Sequence, residues 1–240
     1  MPANKIKVDN AVLKRYARQS ARRRQRVVSL RILIVCEGER TEPRYFDSFK
    51  KKHNGLFVLD MDVLGLGANT LSVVNKAVEL KTKAESVGIP YDSVWAVFDR
   101  DSFSEAKFNA AVQKAESNGV NAAWSNEAFE LWYLYHFHNR VTAMSRDEYK
   151  KAISDAVNSS PAYKLKRKYV YEKNASDTYA IVNRYGSEEN ALRWAEAGAE
   201  RFSGIPSARC NPCTMVYKLV RQIEGKDSEL NAMLAAKIEE

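Results

Sequence analysis

The chain is short of the residues and runs that would place it in several large classes. It has three cysteines in 240 residues, an odd number that argues against a secreted disulfide scaffold. No apolar run approaches the ~18 residues that a membrane span needs. The first thirty residues are basic and lack the apolar stretch of a signal peptide, so a cytoplasmic protein with no membrane partner is expected. Nothing resembles a P-loop, so any ATP chemistry has to come from another chain. Histidine is scarce too: His53 and His138 read as surface residues and His136 as a packed one. Cys210 and Cys213 have CxxC spacing, but a structural zinc site needs four ligands and there is no second pair. Asn211-Pro212 reads instead as the start of a helix carrying Met215, Tyr217, Leu219 and Val220.

What is present is charge, unevenly placed. Residues 1–31 hold ten Lys or Arg against the single acid Asp9, a balance of +9 in a chain whose net charge is +8. The remainder has 28 basic and 29 acidic residues and is close to neutral. Such an arm attracts polyanions through counterion release, which makes Arg22, Arg23, Arg24 and Arg26 candidate nucleic-acid contacts; the alternative is a solvated leader. A second basic run, Lys164, Lys166, Arg167, Lys168 and Lys173, is interleaved with Tyr163, Tyr169 and Tyr171. It suits a phosphate backbone with bases stacked on tyrosine, or equally an amphipathic helix with a solvated face.

Two apolar runs organise the rest. Ile32 to Cys36 reads as a buried strand ending at Glu37-Gly38-Glu39, and Val94 to Phe98 as another ending at Asp99-Arg100-Asp101. Further strands are expected near 56–63 and 120–124, with helices at 41–52, 70–87, 104–119 and 125–137. That alternation requires a mostly parallel sheet with helices on both faces. Beyond about residue 140 only helices are expected, near 145–157, 161–171, 175–185, 187–201, 211–224 and 227–239. The division is a basic arm at 1–30, an α/β core at 31–140 and a helical region at 141–240.

In an open α/β sheet, ligands gather at the carboxyl ends of strands. Carboxylates brought there from two strands suit a hard divalent cation. Glu37 is favoured over Glu39, which reads as an ordinary acid at a helix start, because Gly38 lets the backbone turn tightly against a bound group. Asp99 and Asp101, two apart, would project to one side of an extended chain and repel unless a cation lies between them. Glu130, flanked by Phe129, Leu131 and Trp132, is an expected buried acid that needs a partner or a metal.

The blocks VCEGERTEPRYF (35–46), VFDRDSF (97–103), SNEAFELWYLYHF (125–137) and NPCTMVYKLV (211–220) resemble, in order, the successive motifs of the RloB family, which is placed among Toprim-like proteins. The resemblance implies a Toprim-like catalytic core in which Glu37 ends the first strand, Asp99 and Asp101 form the Asp-x-Asp pair, and Mg²⁺ or Mn²⁺ is held between them. Glu42 and Glu130 match further acids of the family blocks; Glu127 stands where the family more often has Pro. It also implies a metal-dependent nuclease, acting on DNA or RNA (a tRNA included), that serves in anti-phage defence under a neighbouring AAA/ABC-type ATPase. On this basis Glu37, Asp99, Asp101 and Glu130 are the expected catalytic residues, and Glu37, Glu42, Asp99 and Asp101 the expected metal ligands. A non-catalytic binding subunit of an ATPase complex is the alternative. Nucleic acid and that ATPase are the expected partners, and a homo-oligomer stays open.

Overall fold

A computed structural model describes residues 29–51, 58–101 and 103–239. The basic arm, and with it Arg22, Arg23, Arg24 and Arg26, lies outside the described residues. The elements in order are β1 (Ser29–Cys36), α1 (Thr41–Asp47) with a 3₁₀ turn (Ser48–Lys51), β2 (Val58–Gly65), α2 (Thr70–Ser86), β3 (Ser93–Asp99), α3 (Glu105–Ser117) and β4 (Asn121–Asn126). Then follow α4 (Glu130–Tyr135), α5 (Arg146–Ser159), α6 (Thr178–Tyr185), α7 (Glu188–Arg201), a 3₁₀ turn (Ser207–Arg209), β5 (Cys213–Thr214), α8 (Val216–Ile223) and α9 (Ser228–Glu239).

The strands form one sheet in the order β2-β1-β3-β4-β5. All neighbours are parallel except β4 and β5. Because side chains alternate across a strand, each inner strand feeds two cores. Leu30, Ile32, Ile34 and Cys36 of β1 and Trp95 and Val97 of β3 pack on one face, together with apolar residues of α1 and α4 to α8. Leu33 and Val35, with Val94, Ala96 and Phe98, pack on the other, against α2 and α3. Burial on both faces explains the unbroken apolar runs. The helices after residue 145 therefore share a core with the sheet: Tyr149, Ile153, Val182, Ala191 and Val220 lie in the same cluster as Ile32 and Trp95. Polar ties run through this layer. Trp132 donates to the Tyr45 hydroxyl at 2.7 Å, and Trp95 donates to the Gln222 side-chain oxygen at 2.9 Å.

Three expectations need correction. The helix expected at 125–137 is only Glu130–Tyr135, because Ser125 and Asn126 extend β4 and pair with Thr214 and Cys213 of β5. That strand lies inside the helix expected at 211–224, which starts only at Val216. Its partner is nearly ninety residues away, and the Ser125 and Thr214 hydroxyls meet at 2.8 Å in the buried interior. Residues 161–171 are not a helix. Their backbone instead runs along α5, whose side chains satisfy it: Tyr169 N donates to Asn158 Oδ1 at 2.8 Å, Asn158 Nδ2 to Tyr169 O at 2.9 Å, and Tyr171 N to Ser154 Oγ at 2.9 Å.

Strand β1 is followed by β2 on one side, while β3 lies on its other side. The strand order thus reverses between β1 and β3, where an α/β sheet opens a crevice at its carboxyl edge. Gly65 at the end of β2 keeps that edge closely packed. A Cβ there would lie 2.6 Å from the Gly38 carbonyl oxygen and 2.8 Å from Pro43 Cγ. Neither backbone nor ring can yield cheaply, so Gly65→Ala is expected to destabilise the fold by about 1–3 kcal/mol. Thermal unfolding reads the result, and an unchanged midpoint would show the edge to be loose.

Candidate acidic site at the strand ends

The crevice is a cleft of about 350 Å³ lined by Glu37, Glu42, Asp99, Asp101, Arg146 and Lys173, with Gly38, Thr41, Asn69, Phe103 and Asn174 around them. Glu37 is carried past the end of β1 by its own amide, which donates to the Val97 carbonyl at 2.9 Å. Its Oε2 accepts from the Asp99 amide at 3.0 Å, and Thr70 Oγ1 donates to its Oε1 at 3.4 Å. The acid of β1 is thereby fastened to the end of β3. Burial raises the Glu37 pKa, and these two hydrogen bonds act against that rise.

Asp99 is the last residue of β3 and is buried. Asp101 does not continue in extended conformation: its φ is +43°, a left-handed turn that Asp tolerates better than most residues. The two carboxylates are thus brought together by a turn rather than by strand alternation. Arg146, the first residue of α5, spans them, with Nη1 2.6 Å from Asp101 Oδ2 and Nη2 3.6 Å from Asp99 Oδ2.

Glu42 projects from the first turn of α1 and is buried. Its Oε2 has no hydrogen-bond partner among the described residues. A Cβ at residue 38 would run into this carboxylate. Gly38 therefore makes room for the Glu42 side chain, a different use from the tight turn expected of it. Burial, then the neighbouring Glu130, push the Glu42 pKa up to about 7. Asp99 is pushed well above the usual carboxylate range by burial, then by Glu42 and Glu130, with Arg146 opposing. Glu130 itself stands behind the cleft wall: it is buried, and its Oε1 accepts from the Tyr171 hydroxyl at 3.1 Å.

Asn174 ties the segment after Tyr171 to α1. Thr41 Oγ1 donates to Asn174 Oδ1 at 2.7 Å, and the Arg44 guanidinium donates to the Asn174 carbonyl. This sets Lys173 in the cleft lining. Lys164, Lys166, Arg167 and Lys168 are exposed and lie outside that lining.

The cleft brings together Glu37, Glu42, Asp99 and Asp101, four of the five acids singled out in the sequence. The arginine facing them was missed. A cation at the first position of a helix opposes the helix dipole, and that local oddity at Arg146 was the available signal. Among the described residues, no three His, Cys, Asp or Glu side chains stand as a group that could hold a metal ion. The donor set nonetheless has the chemistry of a hard-cation site: carboxylates only, mutually repelling, with one buried oxygen unpartnered.

The family profile of the RloB-like proteins matches residues 32–223. The chain belongs to the RloB-like family. The matched span takes in every residue of the acidic cleft, from Glu37 to Asn174. No curated protein and no solved structure matches the chain. Among the described residues, no helix of this RloB-like protein is long and apolar enough to cross a membrane.

Proposed function

We propose that this RloB-like protein is a divalent-metal-dependent nuclease with a Toprim-like catalytic core. The observation that carries the reading is the buried Glu42 carboxylate, whose Oε2 has no partner among the described residues, crowded by Asp99 and Glu37 at the carboxyl edge where the strand order reverses and by Glu130 behind it. Carboxylates crowded this way are costly unless a cation or a proton relieves them, and natural folds keep such cost where function uses it. Glu37, Glu42, Asp99 and Asp101 would hold Mg²⁺ or Mn²⁺. The bound cation would supply charge neutralisation at a phosphodiester and acidify water for attack on it.

The chain's own residues supply the rest. Arg146 and Lys173 are the cations of the cleft lining and can pair with phosphate oxygens. Glu42, with a pKa of about 7 in the metal-free chain, can give up its proton near neutrality and so become a ligand when the cation enters. The exposed Lys164, Lys166, Arg167 and Lys168, in the segment that leads to Lys173, offer a backbone-binding surface approaching the cleft. The basic arm adds a sequence-independent hold on the polyanion.

In this reading the protein is the effector of an anti-phage system, and a separate AAA/ABC-type ATPase controls it. The experiment incubates purified protein with plasmid, single-stranded DNA and tRNA, in Mn²⁺ and then in EDTA, with and without the proposed ATPase partner. Cleavage that needs the metal is expected. Binding without cleavage, even with the ATPase present, would replace the nuclease by a binding subunit.

A further inference from the structure

We propose that Arg146 is the built-in counter-ion of this site: in the cation-free protein its guanidinium holds Asp99 and Asp101, and an entering divalent cation competes with it for their charge. The inference rests on the metal-site reading above and adds a competition to it. A planar guanidinium can reach two carboxylates at once, and Arg146 does so, at 2.6 Å from Asp101 and 3.6 Å from Asp99. Arg146 occupies the Oδ2 side of both acids, and its positive charge opposes the approach of a second cation to them.

The helix that carries Arg146 does not need it. Ser145 and Glu148 close a capping box at the start of α5, with the Ser145 amide and hydroxyl donating to Glu148 Oε2 at 2.8 and 2.7 Å. Asp147 and Glu148 already complement the helix dipole. A cation at the first position works against that arrangement, so its place is explained by what it faces. The Arg146 side chain is 34% exposed and that of Asp101 47%. Both have free space in which to part. When a metal takes up the charge of these acids, the guanidinium remains in the cleft lining that also includes Lys173, where a phosphate would lie. Arg146 is thus a positioning group for the acids before the metal arrives and a contact for substrate afterwards.

The test is calorimetric titration of the metal-free full-length protein with Mn²⁺, comparing wild type, Arg146→Gln, Arg146→Lys and Lys151→Gln. Lys151 lies on the same helix but pairs with Asp155 at 2.6 Å, outside the cleft, and its variant makes the same change in net charge. Arg146→Gln is expected to bind Mn²⁺ ~2- to 5-fold more tightly than wild type, the scale of removing one partly exposed ion pair. Arg146→Lys should fall between the two, because an ammonium cannot span both acids. Lys151→Gln should match wild type. Unchanged or weaker binding in Arg146→Gln, or equal tightening in Lys151→Gln, would overturn the role of Arg146 while leaving the metal site standing. Absence of Mn²⁺ binding in both wild type and Arg146→Gln would overturn the metal site and this inference together.

Discussion

Glu42→Gln is expected to make the metal-free protein more stable at pH 8, by about 3–4 kcal/mol. The Glu42 pKa stands at about 7 in the folded chain, against an ordinary value near 4.3. Burial comes first among the causes, and repulsion from Glu130 follows. A raised carboxyl pKa means that the unfolded chain gives up its proton first. The stabilising contribution is therefore complete below about pH 4.3 and is lost as pH rises through 7, with each pH unit between those two values costing about 1.4 kcal/mol. Glutamine keeps the shape and discards that dependence. His136 acts in the opposite sense: burial lowers its pKa to about 4, so its contribution is lost as pH falls from about 6.5 through 4. His136 is common to wild type and variant, so the difference between the two isolates Glu42. Urea unfolding at pH 6.5 and 8 should show the wild type losing stability across that step and the variant losing less. Parallel profiles, or a variant less stable at both pH values, would mean that Glu42 is not held against its charge.

The second large effect is on activity. Asp99→Asn is expected to lower metal-dependent cleavage by roughly 10³-fold, the scale of losing one preorganised electrostatic contact at a phosphoryl centre. The same variant should fold at least as stably as wild type in the absence of metal, since it removes a buried charge that Glu42, Glu130 and Glu37 all repel. Loss of activity combined with unimpaired stability is what separates a working residue from a structural one. The Asp99 carboxylate meets Arg146 at 3.6 Å, a loose contact beside the closer one from Arg146 to Asp101, so asparagine should be accommodated. Cleavage within tenfold of wild type would remove Asp99 from the active site. A collapse of stability would contradict the expectation of an unimpaired fold and give Asp99 a structural role instead.

Much of this organisation was legible from the chain. The parallel core was, because Ile32–Cys36 and Val94–Phe98 are unbroken apolar runs, and strands buried on both faces look that way. The placement of Glu37 and Asp99 followed, since each is the polar residue that ends such a run. Other features were hidden for physical reasons. Strand β5 is two residues long and exists through pairing with Ser125 and Asn126, a long-range contact that local pattern cannot register. The tyrosine-rich segment at 161–171 carries helix-compatible residues, but its backbone is captured by Asn158 and Ser154 of α5. The left-handed turn at Asp101 brought the acid pair together by a route that strand alternation does not describe. Glu130 was identified as a buried acid, but its place behind the cleft wall, bonded to Tyr171, depends on that same misread segment.

Anomalous diffraction from a crystal soaked in Mn²⁺ tests the central claim most directly. A peak is expected between the carboxylates of Glu37 and Asp99, with oxygens at the ~2.0–2.6 Å of hard-cation coordination, and it should vanish when the soak contains EDTA. A saturating soak that leaves the cleft without a peak, or places the ion away from these two acids, would contradict the account.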